Sequence, residues 1–164
     1  MVTSQMTDRR NGLIINVGSI AAITPSPLLP VYTGAKAFIR SWSQALGSGL
    51  ADKGVVVVCL DVYFVLSNMF KRHNASYMVP TADAYVKHVL KRIGLTEGAS
   101  VPYANSPYLP HAALIWAVEH LVPSKWMLDH GYLFLLSHHR GMQISALKER
   151  LAKRAKEAAA QRAE

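Results

Sequence analysis

Gly12-Leu-Ile-Ile-Asn-Val17 and Val55-Val-Val-Val-Cys-Leu60 decide the fold class. Both runs are short, β-branched and apolar without alternation, the pattern of a strand covered on both faces. Between them, residues from about Val31 to Ala51 place Ala35, Phe38, Ile39, Trp42, Ala45, Leu46 and Leu50 at spacings of three and four, one helical stripe. Pro25, Pro27 and Pro30 bar a regular helix before it, and Asp52-Lys53-Gly54 stops it, with Gly54 free to take positive φ. Strand, helix and strand make a βαβ unit, so the chain is predicted to be parallel α/β.

Outward from that unit, Thr81 to Ile93 reads as a second helix with Thr81 as its cap and Gly94 as its stop. Ala84, Val86, Val89, Leu90 and Ile93 are expected to face inward. Ser106 to Leu136 is largely apolar but is broken by Pro107, Pro110 and Pro123 and contains Glu119, Lys125 and Asp129. Its longest persuasive core, Ala112 to Val122, includes Glu119 and His120 and is too short and too polar for a spanning helix, which needs about 20 apolar residues. An interfacial hairpin anchored by Tyr108, Trp116, Trp126 and Tyr132 fits it better. From Gln143 the chain is rich in Ala, Lys, Arg and Glu and reads as a solvated helix. The expected organisation is therefore 1–105 as an α/β domain, 106–136 as an apolar membrane-associating segment and 137–164 as a basic helical tail.

Composition narrows the function classes. The 164 residues are 51% hydrophobic and 17% charged, which excludes a disordered chain and allows one domain with a core. A single cysteine, Cys59, rules out an intramolecular disulfide framework. The seven histidines include no His-x3-His pair and have few acidic neighbours, so no metal site is expected. Lys and Arg number 18 against 10 Asp and Glu, a net +8. Seven of the cations and three Glu lie in the last 27 residues, so half of the excess belongs to the tail. Beside an aromatic-flanked apolar segment, that tail suits anionic lipid rather than nucleic acid. Met1 to Arg10 has no apolar h-region, so no secretory leader is expected.

The chemistry is expected at Tyr32 and Lys36. Residues four apart on a helix share a face. An ammonium beside a phenol favours the phenolate and suits the tyrosine to exchange a proton with a carbonyl oxygen. Tyr-x3-Lys by itself is also ordinary surface decoration. Ser19, however, stands at the carboxyl end of the first strand, where ligands of open α/β sheets bind. There it is placed to hold a substrate oxygen, although a serine in that position also serves as a turn residue.

Ser19, twelve residues, and then Tyr32-Thr-Gly-Ala-Lys36 resembles the active-site signature of the short-chain dehydrogenases/reductases. Asn16-Val-Gly-Ser19, Pro25 to Phe38, Trp42-Ser-Gln-Ala-Leu-Gly47, Ser106-Pro-Tyr-Leu-Pro-His111 and Gly141-Met142 are similar to the very-long-chain 3-oxoacyl-CoA reductases, particularly their fungal branch. These are relatives of the animal 17β-hydroxysteroid dehydrogenases of type twelve. The resemblance covers roughly Asn11 to Ala155. It implies the carboxyl-terminal half of a Rossmann-like doubly wound parallel sheet, followed by an apolar hairpin and a basic helical tail. It implies NADPH as hydride donor, Tyr32 as proton donor to the 3-oxo group, Lys36 as its modulator and ribose contact, and Ser19 as the residue that orients the carbonyl. Val65 and Ser67 would contact the nicotinamide, with Val62-Tyr63 standing where the wider family has Pro-Gly.

Implied partners are an acyl-CoA substrate, membrane lipid, further copies of the chain and other fatty-acid elongation components, and the implied location is the endoplasmic reticulum membrane. No Gly-rich strand-to-helix turn precedes Ser19, so the pyrophosphate site and the family's catalytic asparagine are expected outside this sequence. Two other readings stand beside this one: a non-catalytic, membrane-associated remnant that only self-associates, and a steroid 17-keto reductase.

Overall fold

The computed structural model describes residues 2–24, 26, 29–67, 74–93, 101–123, 125–127, 129–130, 148 and 151–154. Helix α1 (Val2–Asp8) leads into strand β1 (Gly12–Val17). After a single 3-10 turn at Ile20–Ala22 comes α2 (Pro30–Leu50), then a 3-10 turn at Ala51–Lys53 and strand β2 (Val55–Leu60). Helix α3 (Ala82–Arg92), the two-residue strand β3 (Ala104–Asn105) and α4 (Leu109–Leu121) complete the order. The sheet is parallel throughout, in the order β1-β2-β3, with Gly12 opposite Val55 and Cys59 opposite Ala104.

Local chemistry sets the boundaries. Pro30 opens α2 in the first turn, where its missing N–H costs nothing. The Thr81 hydroxyl accepts the Ala84 N–H at 3.3 Å and caps α3. Gly54 takes φ 71° at the exit towards β2, and a Cβ there would lie 2.3 Å from the Arg10 carbonyl oxygen, so only glycine lets the two connections cross. Strand β3 has no sequence signature of its own. It forms because the Cys59 N–H donates to Tyr103 O and the Asp61 N–H donates to Asn105 O, at 2.7 and 2.9 Å.

The two sheet faces are filled unequally. Under α2, Leu46 and Leu50 meet Ile14, Val55 and Val57, with Met6 of α1 closing the cluster. On the opposite face Val58 and Leu60 pack with Tyr85, Val89 and Tyr108, flanked by Val62, Val65 and Ile93. Here β1 departs from the expected two-sided burial. Leu13, Ile15 and Val17 alternate outward and are exposed together with Val56, because α3 lies over β2 and no described element covers β1 on that side. Helix α3 also turns differently from expectation. Tyr85 and Val89 are buried while Ala84, Val86 and Leu90 face solvent, since the Tyr85 ring packs among Tyr108 and His111. On α2, Leu46 turns inward, whereas Phe38 and Trp42 are 66% and 44% exposed.

Packing does not break between Asn105 and Ser106. Ser106, Pro107, Tyr108, Pro110, His111, Ala112 and Ile115 are all buried, so the first half of α4 packs as a core helix. Its second half emerges with Trp116 and Leu121 exposed. Among the described residues no helix is long and apolar enough to cross a membrane. In the tail, residues 151–154 are helical and exposed. Gly94, Tyr132, Gly141-Met142 and most of 137–164 lie outside the described residues.

Candidate active site

The carboxyl ends of β1 and β2 carry the site. Ser19 follows β1 in extended backbone and is buried, and its Oγ accepts the Ala21 N–H at 3.2 Å, capping the 3-10 turn. The Ile20 N–H donates to Val62 O at 3.0 Å, which stitches this turn to the segment leaving β2. Gly18 cannot be replaced without displacement. A Cβ there would stand 2.8 Å from Cys59 Sγ, 2.9 Å from Asp61 Oδ1 and 3.0 Å from Leu60 O.

Tyr32 and Lys36 occupy the first two turns of α2. Lys36 Nζ donates to Val17 O at 2.8 Å and lies 5.8 Å from the centre of the Tyr32 ring. The ammonium therefore links the tyrosine to the strand end two residues before Ser19, and the Tyr32 ring stays half exposed. Asn16 Nδ2 donates to Ser43 Oγ at 2.9 Å, a second tie between β1 and α2. Beyond β2, Val65 packs its side chain against the Val58/Leu60 cluster and Ser67 is exposed. Between them, the Leu66 N–H donates to Pro80 O.

Sequence reasoning missed one charged network beside this site. Arg40 Nε donates to Asp61 Oδ2 at 2.9 Å and its Nη2 donates to Glu119 Oε1 at 2.7 Å. Asp61 is fully buried. The available signals were an Arg one turn beyond Lys36 and two carboxylates set in otherwise apolar runs. Nothing local pairs them, because Arg40 and Glu119 are 79 residues apart.

A short-chain dehydrogenase family model matches residues 1–77, a span that holds Ser19, Tyr32, Lys36, Val65 and Ser67. Residues 1–77 belong to the short-chain dehydrogenase family. This is a family of oxidoreductases, and two fungal relatives extend the match beyond the dehydrogenase segment. The very-long-chain 3-oxoacyl-CoA reductase of Mycosarcoma maydis is 39% identical over 154 residues, which is 93% of this chain and 42% of that one. The reductase of the same name from Schizosaccharomyces pombe is 36% identical over 144 residues, 88% and 40% of the two chains. The chain thus spans less than half the length of the curated relatives it matches. A solved structure from a study of 7β-hydroxysteroid dehydrogenase stereoselectivity superposes with a TM-score of 0.65 over 79% of this chain and 51% of that one. Its identity is 15%, so it supports the fold alone.

The donors present in the dehydrogenase segment suit the nicotinamide end of a dinucleotide. Tyr32, Ser19 and Ser67 offer hydroxyls and Lys36 an ammonium, the groups that bind ribose hydroxyls and a carbonyl oxygen. Among the described residues no glycine-rich turn presents a helix N-terminus to a pyrophosphate. No group of three or more His, Cys, Asp or Glu among them is placed to hold a metal ion.

The electrostatics of the dehydrogenase segment give a prediction. Burial pushes the Asp61 carboxyl up to about 6, Arg40 pulling it down and Glu119 adding to the rise. The folded-state value therefore lies above the unfolded value near 3.8. The stability this carboxyl contributes is then fully present below about pH 4 and is lost as the pH rises through about 6. The whole step is of order 3 kcal/mol. His111 acts in the opposite sense. Its Nε2–H donates to Met78 O at 3.0 Å, and burial pushes the imidazole below its usual range, so acid favours the unfolded state there. Comparing thermal unfolding midpoints of the native chain and Asp61→Asn from pH 7 to 5 isolates the carboxyl. The native midpoint should rise relative to that of the variant as the pH falls; parallel curves would refute the assignment.

Proposed function

We propose that this chain provides the carbonyl-reducing site of a very-long-chain 3-oxoacyl-CoA reductase, converting a 3-oxoacyl-CoA to the 3-hydroxyacyl-CoA. The observation that carries the proposal is Lys36 Nζ donating to Val17 O, two residues before Ser19, while lying 5.8 Å from the centre of the Tyr32 ring. NADPH, when bound, supplies the hydride. The Ser19 hydroxyl holds the 3-oxo oxygen, and the Tyr32 hydroxyl donates the proton that oxygen needs as it gains negative charge. Lys36 stabilises the phenolate left behind and reaches the ribose hydroxyls. Ser67, and the backbone around Val65, line the nicotinamide side.

The test is NADPH consumption with a 3-oxoacyl-CoA, measured for the chain alone and for the chain joined behind the amino-terminal portion of the Schizosaccharomyces pombe relative. Turnover in the joined protein is expected. A folded but inert joined protein would overturn the reading.

The same reading carries association between copies and work at the endoplasmic reticulum membrane among elongation components. Exposed Leu109, Trp116, Leu121 and Trp126 support contact with lipid. Exposed Phe38 and Trp42, one turn apart on α2, support pairing of that helix with a second copy. Trp42→Ala is expected to weaken self-association by roughly 2 kcal/mol, as truncation of a central interface aromatic does. Sedimentation equilibrium showing the same oligomer distribution in the variant would argue against this pairing.

A further inference from the structure

Asp61 ends an apolar strand, and its two oxygens serve different neighbours. Oδ2 accepts from Arg40 Nε at 2.9 Å. Arg40 is one turn beyond Lys36 and two beyond Tyr32, so this oxygen grips the helix that carries both. Oδ1 packs against Gly18, where even a Cβ would come within 2.9 Å of it, and it accepts no hydrogen bond from the described residues. Gly18 immediately precedes Ser19. One buried carboxylate therefore bears on the strand end that positions Ser19 and on the helix that positions Tyr32 and Lys36.

The charged and titratable groups around it come from every packed element. Arg40 faces it from α2, with Lys36 next along that helix. Glu119 faces it from α4 across Arg40, and Cys59 lies beside it on β2. Tyr85 approaches from α3, where burial and the Asp61 charge both push its phenol up. The 3-10 turn contributes only Ile20, Ala21 and Ala22.

We propose that Asp61 is a positioning residue that couples the Ser19 strand end to the Tyr32/Lys36 helix, its charge setting how the two halves sit against each other. Ionised, it holds Arg40 by a charge-assisted hydrogen bond, roughly twice as strong as a neutral one. Protonated, it loosens that hold, and Glu119 retains Arg40 on α4 instead. The positioning role rests on the reading of Ser19, Tyr32 and Lys36 as the reactive set; the coupling itself does not.

The experiment is an amide and arginine side-chain NMR titration of the ¹⁵N-labelled full chain. Gly18, Ser19 and Lys36 amides and the Arg40 Nε–H are expected to shift together in one step centred near pH 6. In Asp61→Asn that shared step should vanish. In Glu119→Gln it should persist with its midpoint moved to lower pH, because a like charge has been removed. Gly18 and Ser19 signals that do not titrate, or a step that survives in Asp61→Asn, would overturn the proposal. If Asp61→Asn does not fold, an unmoved midpoint in Glu119→Gln overturns it equally. A shared step in a protein whose joined form is inert would sink the reactive-set reading and leave the coupling standing. Turnover without the step would sink the positioning role alone.

Discussion

Phenylalanine at position 32 is expected to remove nearly all carbonyl reduction from the joined protein. Tyr32→Phe keeps the half-exposed ring over Lys36 and deletes only the proton to be donated. The oxygen gaining charge is then left without an acid, and the rate should fall by about 10² to 10⁴, the usual worth of a general acid–base step. Lys36→Ala should do comparable damage by another route. It removes the ammonium that stabilises the phenolate and frees Val17 O, which now accepts from Nζ at 2.8 Å. Ser19→Ala should lower turnover more than NADPH affinity, since the hydroxyl meets the substrate oxygen. The three losses should not add, because the residues act as one unit. Near-full activity in Tyr32→Phe would remove the mechanistic basis of the proposed function.

Arg40→Met should destabilise the fold strongly. It leaves the fully buried Asp61 without the guanidinium that now donates to it, and it takes one interaction from the partly buried Glu119. Breaking a buried pair from one side typically costs about 3–5 kcal/mol, because the remaining charge is stranded. The loss should depend on pH in a stated direction. At pH 7 the native Asp61 is mostly ionised and gains most from Arg40; near pH 5 it is mostly protonated, so the guanidinium matters less. Chemical denaturation should therefore show a larger deficit for Arg40→Met at pH 7 than at pH 5. The triple change Arg40→Met, Asp61→Asn, Glu119→Gln also removes the two carboxylate charges that Arg40 now meets and should recover much of the difference. An equal deficit at both pH values would show that the guanidinium acts by packing alone.

The sequence by itself determined whatever depends on neighbours a few residues apart. Gly12–Val17 and Val55–Leu60 are strands because β-branched runs end at glycine or at a charged residue, and α2 spans Pro30–Leu50 because a 3.6-residue stripe is framed by a proline and by Gly54. The Thr81 cap and the Tyr32/Lys36 pair are equally local, and so is the placement of Ser19 at a strand end. Only the tertiary structure decided the rest. Periodicity could not show that, among the described residues, β1 is covered on one face alone, since that depends on where α3 comes to lie. Strand β3 exists through backbone bonds to Cys59 and Asp61, not through any propensity of Ala104-Asn105. Ser106 to Ile115 reads as an interfacial apolar run until its own Tyr108 and His111 are seen buried against Tyr85. Arg40, Asp61 and Glu119 are unremarkable one at a time. They become a network because the chain returns to the carboxyl end of β2 from two directions, and the charges must meet there because a buried charge without a partner is too costly to keep.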